Sequence, residues 1–394
     1  MTRLIEFVIA LALVLALFVV IGLVLPSKRH LVESVETNRK MSIVFDTLNN
    51  VRRLKDWNPL IPAGEMSYAG GDASHAGQGA RVEYNSESWG KGSWEIVESE
   101  QPASQDQPGK VAYAIKDDRT GKNKHSVFSL EPTGKNNRNV KITQTYDIDY
   151  GWDLMGRYSG MYVSRQVGDL MKAGLSKLTT LLAGVPNYDY RLEGSNLTGL
   201  KVVDVPAENV LFVNAGNIDR TNDAIKASIK ANAEWIHRVM DANNLEAAGP
   251  LRIITTDFGA EKYAFDVAML VRKKSGDAKK DDDKKADADK ADGDDADKAE
   301  PVNTDVAEVY AGELSVKIPD GAPVEYIHIP AHKAANAQYT GFMAGLDVVR
   351  NSLRAWATTN GYEVTDRPYE VWKKGVDGSF EEDGEFDVYW SVKQ

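Results

Sequence analysis

The sequence predicts an α+β protein in three parts: an apolar N-terminal helix, an antiparallel sheet closed by a long helix, and a second sheet-and-helix unit built twice over. Three observations carry this. Residues 4–26 hold a single charge, Glu6. Over residues 30–182, segments that alternate polar and apolar residues give way to one long stretch of helical period. From residue 200 onward, a pattern of strand, helix, strand and strand is written twice. At 394 residues the chain exceeds what one core organises, so several domains are expected.

The N-terminal run LIEFVIALALVLALFVVIGLVLP makes about 33 Å of helix over residues 4–25, enough for a hydrocarbon core of about 30 Å. It is longer than the apolar part of a secretory leader, and no A-x-A-like cleavage site follows. Residues 1–28 therefore read as an uncleaved, single-pass transmembrane anchor that meets the lipid bilayer through residues 4–25. Lys28, Arg29, Arg39 and Lys40 outnumber Arg3, which favours a cytoplasmic C-terminal side; the lack of cysteine leans toward a periplasmic one, and the side stays open. That lack also excludes disulfides, thiolate nucleophiles and cysteine-ligated metal sites. A net charge of -11 argues against a nucleic-acid partner, because Lys and Arg on phosphates supply most of that affinity.

In residues 29–184, LVESVETN reads as a strand and Ser42 as the cap of a helix carrying Val44, Leu48 and Val51 on one stripe. WNPL, at 57–60, stops it, since proline restricts the residue before it. GARVEYNS, GSWEIVESE, KVAYAIKD, HSVFSLEP and NVKITQTYDID follow as half-buried strands between Gly, Pro, Asn and Asp clusters. MYVSRQVGDLMKAGLSKLTTLL then sets Val163, Val167, Leu170, Leu178 and Leu181 at helical spacing. This order, with the Trp57-Asn58-Pro59 turn and the SWGKGSWEI stretch from Ser88, resembles the helix-grip superfamily of START-like lipid carriers, pollen-allergen-type proteins and polyketide cyclase/dehydrase-like (SRPBCC) proteins. The resemblance implies a sheet wrapped on its C-terminal helix around a cavity for an apolar ligand. Trp57, Trp94, Tyr113, Phe128 and Tyr146 are then either its lining or plain core.

After a linker at 185–199, KVVDVPAENVLFVNAGN (from Lys201) matches LSVKIPDGAPVEYIHIPAH (from Leu314), with a proline sixth in each. AIKASIKANAEWIHRVMDANNL matches FMAGLDVVRNSLRAWATTNGY, and KYAFDVAMLV matches GEFDVYWSV. This duplicated β-α-β-β unit, residues 200–394, resembles the GyrI-like effector-binding family, also found as the sensor half of some AraC- and MerR-type regulators. The resemblance implies two halves about a pseudo-twofold axis with an acidic residue of the second half in the cleft between them. RPYEVW gives that role to Glu370, and FDVYWSV makes Tyr389 a cleft aromatic. Alternation puts Trp372 beside Glu370; Tyr389 and Asp387 are expected on the same face, with Tyr369, Val371, Phe386, Val388 and Trp390 turned to the helices. No helix-turn-helix segment accompanies the domain.

The insertion at 273–303 has no large apolar residue before Val302 and is expected to be disordered. Its Asp287, Asp289 and Asp292-Gly293 miss the register of a calcium loop, and His328 and His332 flank Pro330 as ordinary polar positions. No metal or cofactor is expected. With no hydrolase elbow, P-loop or dinucleotide fingerprint, no catalytic residue is assigned. The leading expectation is a membrane-anchored small-molecule-binding protein, with an apolar ligand in the helix-grip cavity and a lipophilic or cationic one beside Glu370. The alternatives are a polyketide cyclase/dehydrase-like enzyme and a stress-response scaffold without a ligand.

Overall fold

The computed structural model describes residues 2–191, 196–274 and 312–393. The chain is α+β with two antiparallel sheets, in two compact units: Met1–Gly194 with Ala355–Tyr362, and Ser195–Arg354 with Glu363–Gln394. Residues 275–303 of the insertion expected to be disordered, with its Asp-rich run, lie outside the described residues, as do residues 192–195 of the expected linker.

The first unit begins with α1 (Thr2–Val24), the one helix among the described residues long and apolar enough to cross a membrane. There follow β1 (Lys28–Thr37), α2 (Met41–Leu48), α3 (Leu54–Trp57), β2 (Glu65–Ala69), β3 (Arg81–Ser86), β4 (Gly90–Glu100) and β5 (Gly109–Asp117). The unit continues through β6 (Lys122–Thr133), β7 (Asn139–Asp149), α4 (Leu154–Ser159) and α5 (Asp169–Ala183). The strands form one sheet in the order β1-β7-β6-β5-β4-β3-β2. Edge strand β2, EMSYA, alternates over only five residues, with Met66 and Tyr68 half-buried, and is a strand the sequence reading passed over.

Local chemistry corrects two details. Lys40, not Ser42, precedes α2, and the Ser42 hydroxyl donates to Asp189 Oδ1 (2.9 Å). The expected stop at WNP holds: α3 ends at Asn58, whose Oδ1 accepts from the Leu60 amide (3.0 Å). Along the closing helix Val163 and Val167 are buried as expected, but the stripe continues through Met171, Leu175, Leu178 and Leu182 rather than Leu170 and Leu181. A π-helical turn at Ser164–Gly168 adds a residue to one turn, which moves the next buried position from Leu170 to Met171.

The end of α1 is held by α4. Buried Arg157 donates from Nη1 to the carbonyls of Gly22 (3.3 Å), Leu23 (3.0 Å) and Leu25 (3.3 Å), acceptors that a helix terminus leaves unpaired. Tyr158 stacks on Phe18 with ring centroids 4.4 Å apart and donates its hydroxyl to the Phe18 carbonyl (2.7 Å).

The second unit runs β8 (Leu197–Val205), β9 (Glu208–Asp219), α6 (Asn222–Ala242), β10 (Leu245–Ala247), β11 (Arg252–Phe258) and β12 (Lys262–Lys273). After the insertion come β13 (Val324–Ile329), β14 (His332–Thr340), α7 (Leu346–Thr359), β15 (Glu363–Val364), β16 (Tyr369–Trp372), α8 (Gly375–Gly378) and β17 (Glu385–Lys393). The main order is β13-β9-β12-β11-β16-β17-β14-β8, with β10 on β12 and β15 on β17. Exchanging the halves returns the same order. Each half places two strands, not one, before its helix, and Pro206-Ala207 and Pro330-Ala331 are the matching connectors. Pro206 therefore corresponds to Pro330 rather than to Pro319. LSVKIP alternates as a strand would but joins no ladder; the Leu314 amide donates to the Tyr326 hydroxyl (2.7 Å) and the Lys317 amide to Asn243 Oδ1 (2.7 Å).

Candidate ligand-binding site

Register decides which side chains meet. β16 opposes β17 with Tyr369 against Tyr389, Glu370 against Val388, Val371 against Asp387 and Trp372 against Phe386. Directly opposed residues share a face. Glu370 and Trp372 thus lie with Val388 and Phe386 on the helix side, while Tyr369 and Val371 lie with Tyr389 and Asp387 on the other. This corrects the expectation that Glu370, Trp372 and Tyr389 share one wall. Alternation fixes faces within a strand but not the registration of one strand on the next.

Glu370 is fully buried, and its Oε1 accepts from Arg350 Nε of α7 at 2.5 Å. Arg350 Nη2 donates to the Tyr263 hydroxyl (3.3 Å), and the guanidinium lies 5.4 Å from the Phe258 ring. Burial works to lower the Arg350 pKa, but the charge and hydrogen bond of Glu370, with Tyr263 and Asp347, together hold the group above its ordinary range. Burial pushes the Tyr263 hydroxyl up to about 12. Trp372 is also fully buried, packed against Phe380 and Phe386 with centroids 5.8 and 5.6 Å away. The cation that Glu370 attracts is the chain's own.

The opposite face carries a hollow of about 290 Å³ lined by Glu208, Arg252, Asn336, Tyr369, Asp387 and Tyr389 among others. A second, of about 120 Å³, adjoins it through Glu208 and Tyr369 and is walled by Phe212, Ile254 and Ile327. Tyr369 and Tyr389 stack nearly parallel, centroids 5.0 Å apart at 10°. The Arg252 guanidinium lies 4.9 Å from the Tyr369 ring and grips the buried Glu208 carboxylate with two bonds, 2.6 and 2.9 Å. Burial works to lower the Arg252 pKa, but the hydrogen bonds and charge of Glu208, with the two tyrosines, leave it raised overall. Asp387 is paired with Lys373 at 2.7 Å. Burial also raises both tyrosine hydroxyls above their usual range. Sequence reasoning missed Arg252 and Glu208, which only the fold brings together. Tyr369 stood one residue from Glu370, on the face assigned to the helices.

In the first unit Trp57, Trp94, Tyr113, Phe128 and Tyr146 are all fully buried. Trp57 meets Phe128 edge-on at 5.6 Å, Trp94 meets Tyr113 at 5.6 Å, and Tyr113 meets Phe128 at 6.0 Å. The Tyr113 hydroxyl donates to the Leu48 carbonyl. Four of the five rings pack on one another. Nearby, Asp117 pairs with buried Lys124 and with Arg119 (2.8 Å), whose guanidinium lies 4.2 Å from the Trp89 ring. Burial lowers the Lys124 pKa against the pull of Asp117, and Asp117 stays low despite its burial because Lys124 and Arg119 bond it. A hollow of about 720 Å³ beside them takes in Tyr84, Gly92 and Asp117. Gly92 is required there, since a Cβ would strike the Tyr84 hydroxyl. Sequence reasoning passed over this cluster because it started the strand at His125, one residue after Lys124.

His328 Nδ1 lies 3.1 Å from Asn209 Oδ1 and His332 Nδ1 3.0 Å from the Pro330 carbonyl; among the described residues no cluster with metal-ligand chemistry occurs.

No family model and no curated protein matches the chain. Solved structures similar to it include the C-terminal domain of EcmrR, 17% identical over 50% of this chain and 98% of that one, with a TM-score of 0.31. Norcoclaurine synthase from Thalictrum flavum is 13% identical over 40% of this chain and 94% of that one, TM-score 0.30. A solution structure from Thermobifida fusca is 17% identical over 39% and 93%, TM-score 0.30. EcmrR is also solved in complex with DNA, 15% identical over 63% and 86%, TM-score 0.32. Likeness of this order names no family for this chain.

Proposed function

We propose that this chain is a small-molecule-binding protein tethered to a membrane by α1, and that its recognition site is the open sheet face around Tyr369 and Tyr389. The observation that carries the reading is the parallel tyrosine pair, braced from one side by the Arg252–Glu208 ion pair and bordering about 290 Å³ of space. Such rings offer a large, rigid stacking surface at little entropic cost. Their chemistry favours a planar aromatic ligand with hydrogen-bonding edges that can meet Asn336 and Gln338. A lipophilic cation fits less well than the sequence implied, because arginines already occupy the positions beside Glu370 and over Tyr369. The twin Pro-Ala connectors and a strand order that survives exchange of the halves support reading the second unit as a duplicated, GyrI-like domain. The seven-stranded sheet with α5 supports a helix-grip reading of the first. The test is equilibrium dialysis of the detergent-solubilised full chain against neutral, anionic and cationic planar aromatic compounds. At least one should bind, and Tyr389→Ala, with unchanged circular dichroism, should weaken it roughly tenfold. Equal affinities in both proteins, or no binding, would overturn the reading.

One observation favours a second reading, enzymatic chemistry in the first unit: buried Lys124, its pKa lowered, is paired with Asp117, which lines the 720 Å³ hollow. It requires that the full chain consume a compound in a metabolite mixture and that Lys124→Met abolish this.

A further inference from the structure

The exposed large apolar residues of the first unit outside α1 are concentrated in one short segment. Trp152 is 83% exposed, Met155 70%, Met161 53% and Tyr162 60%. Side chains of this size spread over one stretch carry an unfavourable contact with water that a soluble surface normally avoids. The same segment contains α4, whose Arg157 caps α1 and whose Tyr158 stacks on Phe18. Phe18 precedes Val24 by six residues, about 9 Å along the helix axis.

If α1 crosses the bilayer, a helix of this length ends close to the boundary of the hydrocarbon layer. A contact made about 9 Å back along it then lies within the roughly 5–10 Å depth at which amphipathic elements rest. Trp and Tyr are suited to that depth, since an apolar body enters the acyl region while an indole N–H or phenol reaches the headgroups, and Met adds apolar surface beside them. Arg157 makes the placement rigid by joining both elements: its Nη1 bonds the end of α1, and its Nε (2.9 Å) and Nη2 (2.6 Å) bond the Gly151 carbonyl next to Trp152.

We propose that residues 152–162 form a second membrane element, lying in the interface beside the exit of α1 with Trp152, Met155, Met161 and Tyr162 in lipid. This rests on the reading of α1 as a membrane span, and continuity of the apolar surface from α1 onto α4 is what identifies the bilayer as the occupant. The segment sets the first unit at a fixed depth and tilt on the membrane instead of leaving it to swing on residues 25–28.

The absence of cysteine allows a direct test. Nitroxide labels are placed one at a time at Met155→Cys, Met161→Cys, Leu13→Cys and Val97→Cys of the full chain, reconstituted in phosphatidylcholine–phosphatidylglycerol vesicles. Collisions with oxygen and with a water-soluble nickel complex are measured. Expected is a severalfold lower nickel accessibility at 155 and 161 than at 97, with oxygen accessibility between those of 97 and 13. If 13 is in lipid but 155 and 161 match 97, the interfacial element is refuted and the anchor stands. If 13 is also accessible to nickel, the anchor itself fails, and the proposal with it.

Discussion

The two sheets use aromatic residues in opposite ways. In the first unit, Trp57, Trp94, Tyr113 and Phe128 come from a helix and from successive strands, and they fill the space between sheet and helix with one another. In the second, Tyr369 and Tyr389 stand on the face away from α7, where the stacked pair is only half-buried, with Arg252 over Tyr369 and the hollow beside both. An aromatic-rich strand is thus not in itself a cavity lining. The difference lies in whether a second layer supplies side chains to meet it. The carboxylates follow the same division: Glu370, turned inward, is consumed by Arg350, whereas Glu208 and Asp387 border the open hollow, each with its own counter-ion.

The sharpest way to break this comparison is truncation on each side. Phe128→Ala should destabilise the protein by about 3–5 kcal/mol, as for other buried rings, whereas Tyr389→Ala should cost about 1 kcal/mol or less. Urea unfolding followed by circular dichroism reads both, and equal losses would erase the distinction between filled core and open wall. A comparable effect is expected inside the second unit: Glu370→Ala strands a buried guanidinium and should cost about 3–5 kcal/mol, while Glu370→Leu combined with Arg350→Met should recover most of it. A tolerated Glu370→Ala would mean that the carboxylate is wetter than its burial implies.

A smaller effect separates the units by pH. Asp46 of α2 is buried beside Arg191 (2.6 Å) and the Tyr190 hydroxyl (2.9 Å); burial raises its pKa from 3.8 to about 6, with Arg191 and Tyr190 opposing the rise. The folded state then holds this proton more tightly than the unfolded chain. Its contribution is complete below the unfolded value and is lost as pH rises through about 6. Relative to Asp46→Asn, the wild type should lose about 2 kcal/mol of stability between pH 4 and pH 7, as urea midpoints at each pH would record. Parallel profiles for the two proteins would show that Asp46 stays ionised throughout.

Much of the architecture was legible because it rests on period and punctuation. The apolar run of α1, the WNP stop and the alternating strands of the first sheet are signals carried by neighbouring residues. Errors arose where a distant partner decides. The π turn at Ser164–Gly168 shifted one stripe by a residue, and HKAANAQYT, rich in Ala, Asn and Gln, has little strand propensity yet pairs on both sides. At the candidate site, FDVYWSV placed Tyr389 and Asp387 correctly on the face away from the helices. RPYEVW was assigned to the wrong face, because nothing local distinguishes an inward from an outward alternation when both sets contain aromatics. Arg252 and Glu208 lie 44 residues apart, and Arg350 and Glu370 lie 20 apart. No spacing rule joins either pair.

The most direct test is to locate a bound ligand. A structure of the protein with the tightest-binding planar compound should show it against Tyr389 on the open face of the ten-stranded sheet, within reach of Asn336 and Gln338, with Glu370 still paired to Arg350. Ligand density between the first sheet and α5, with Trp94 or Phe128 displaced from its packing, would contradict the assignment of the recognition face to the second unit.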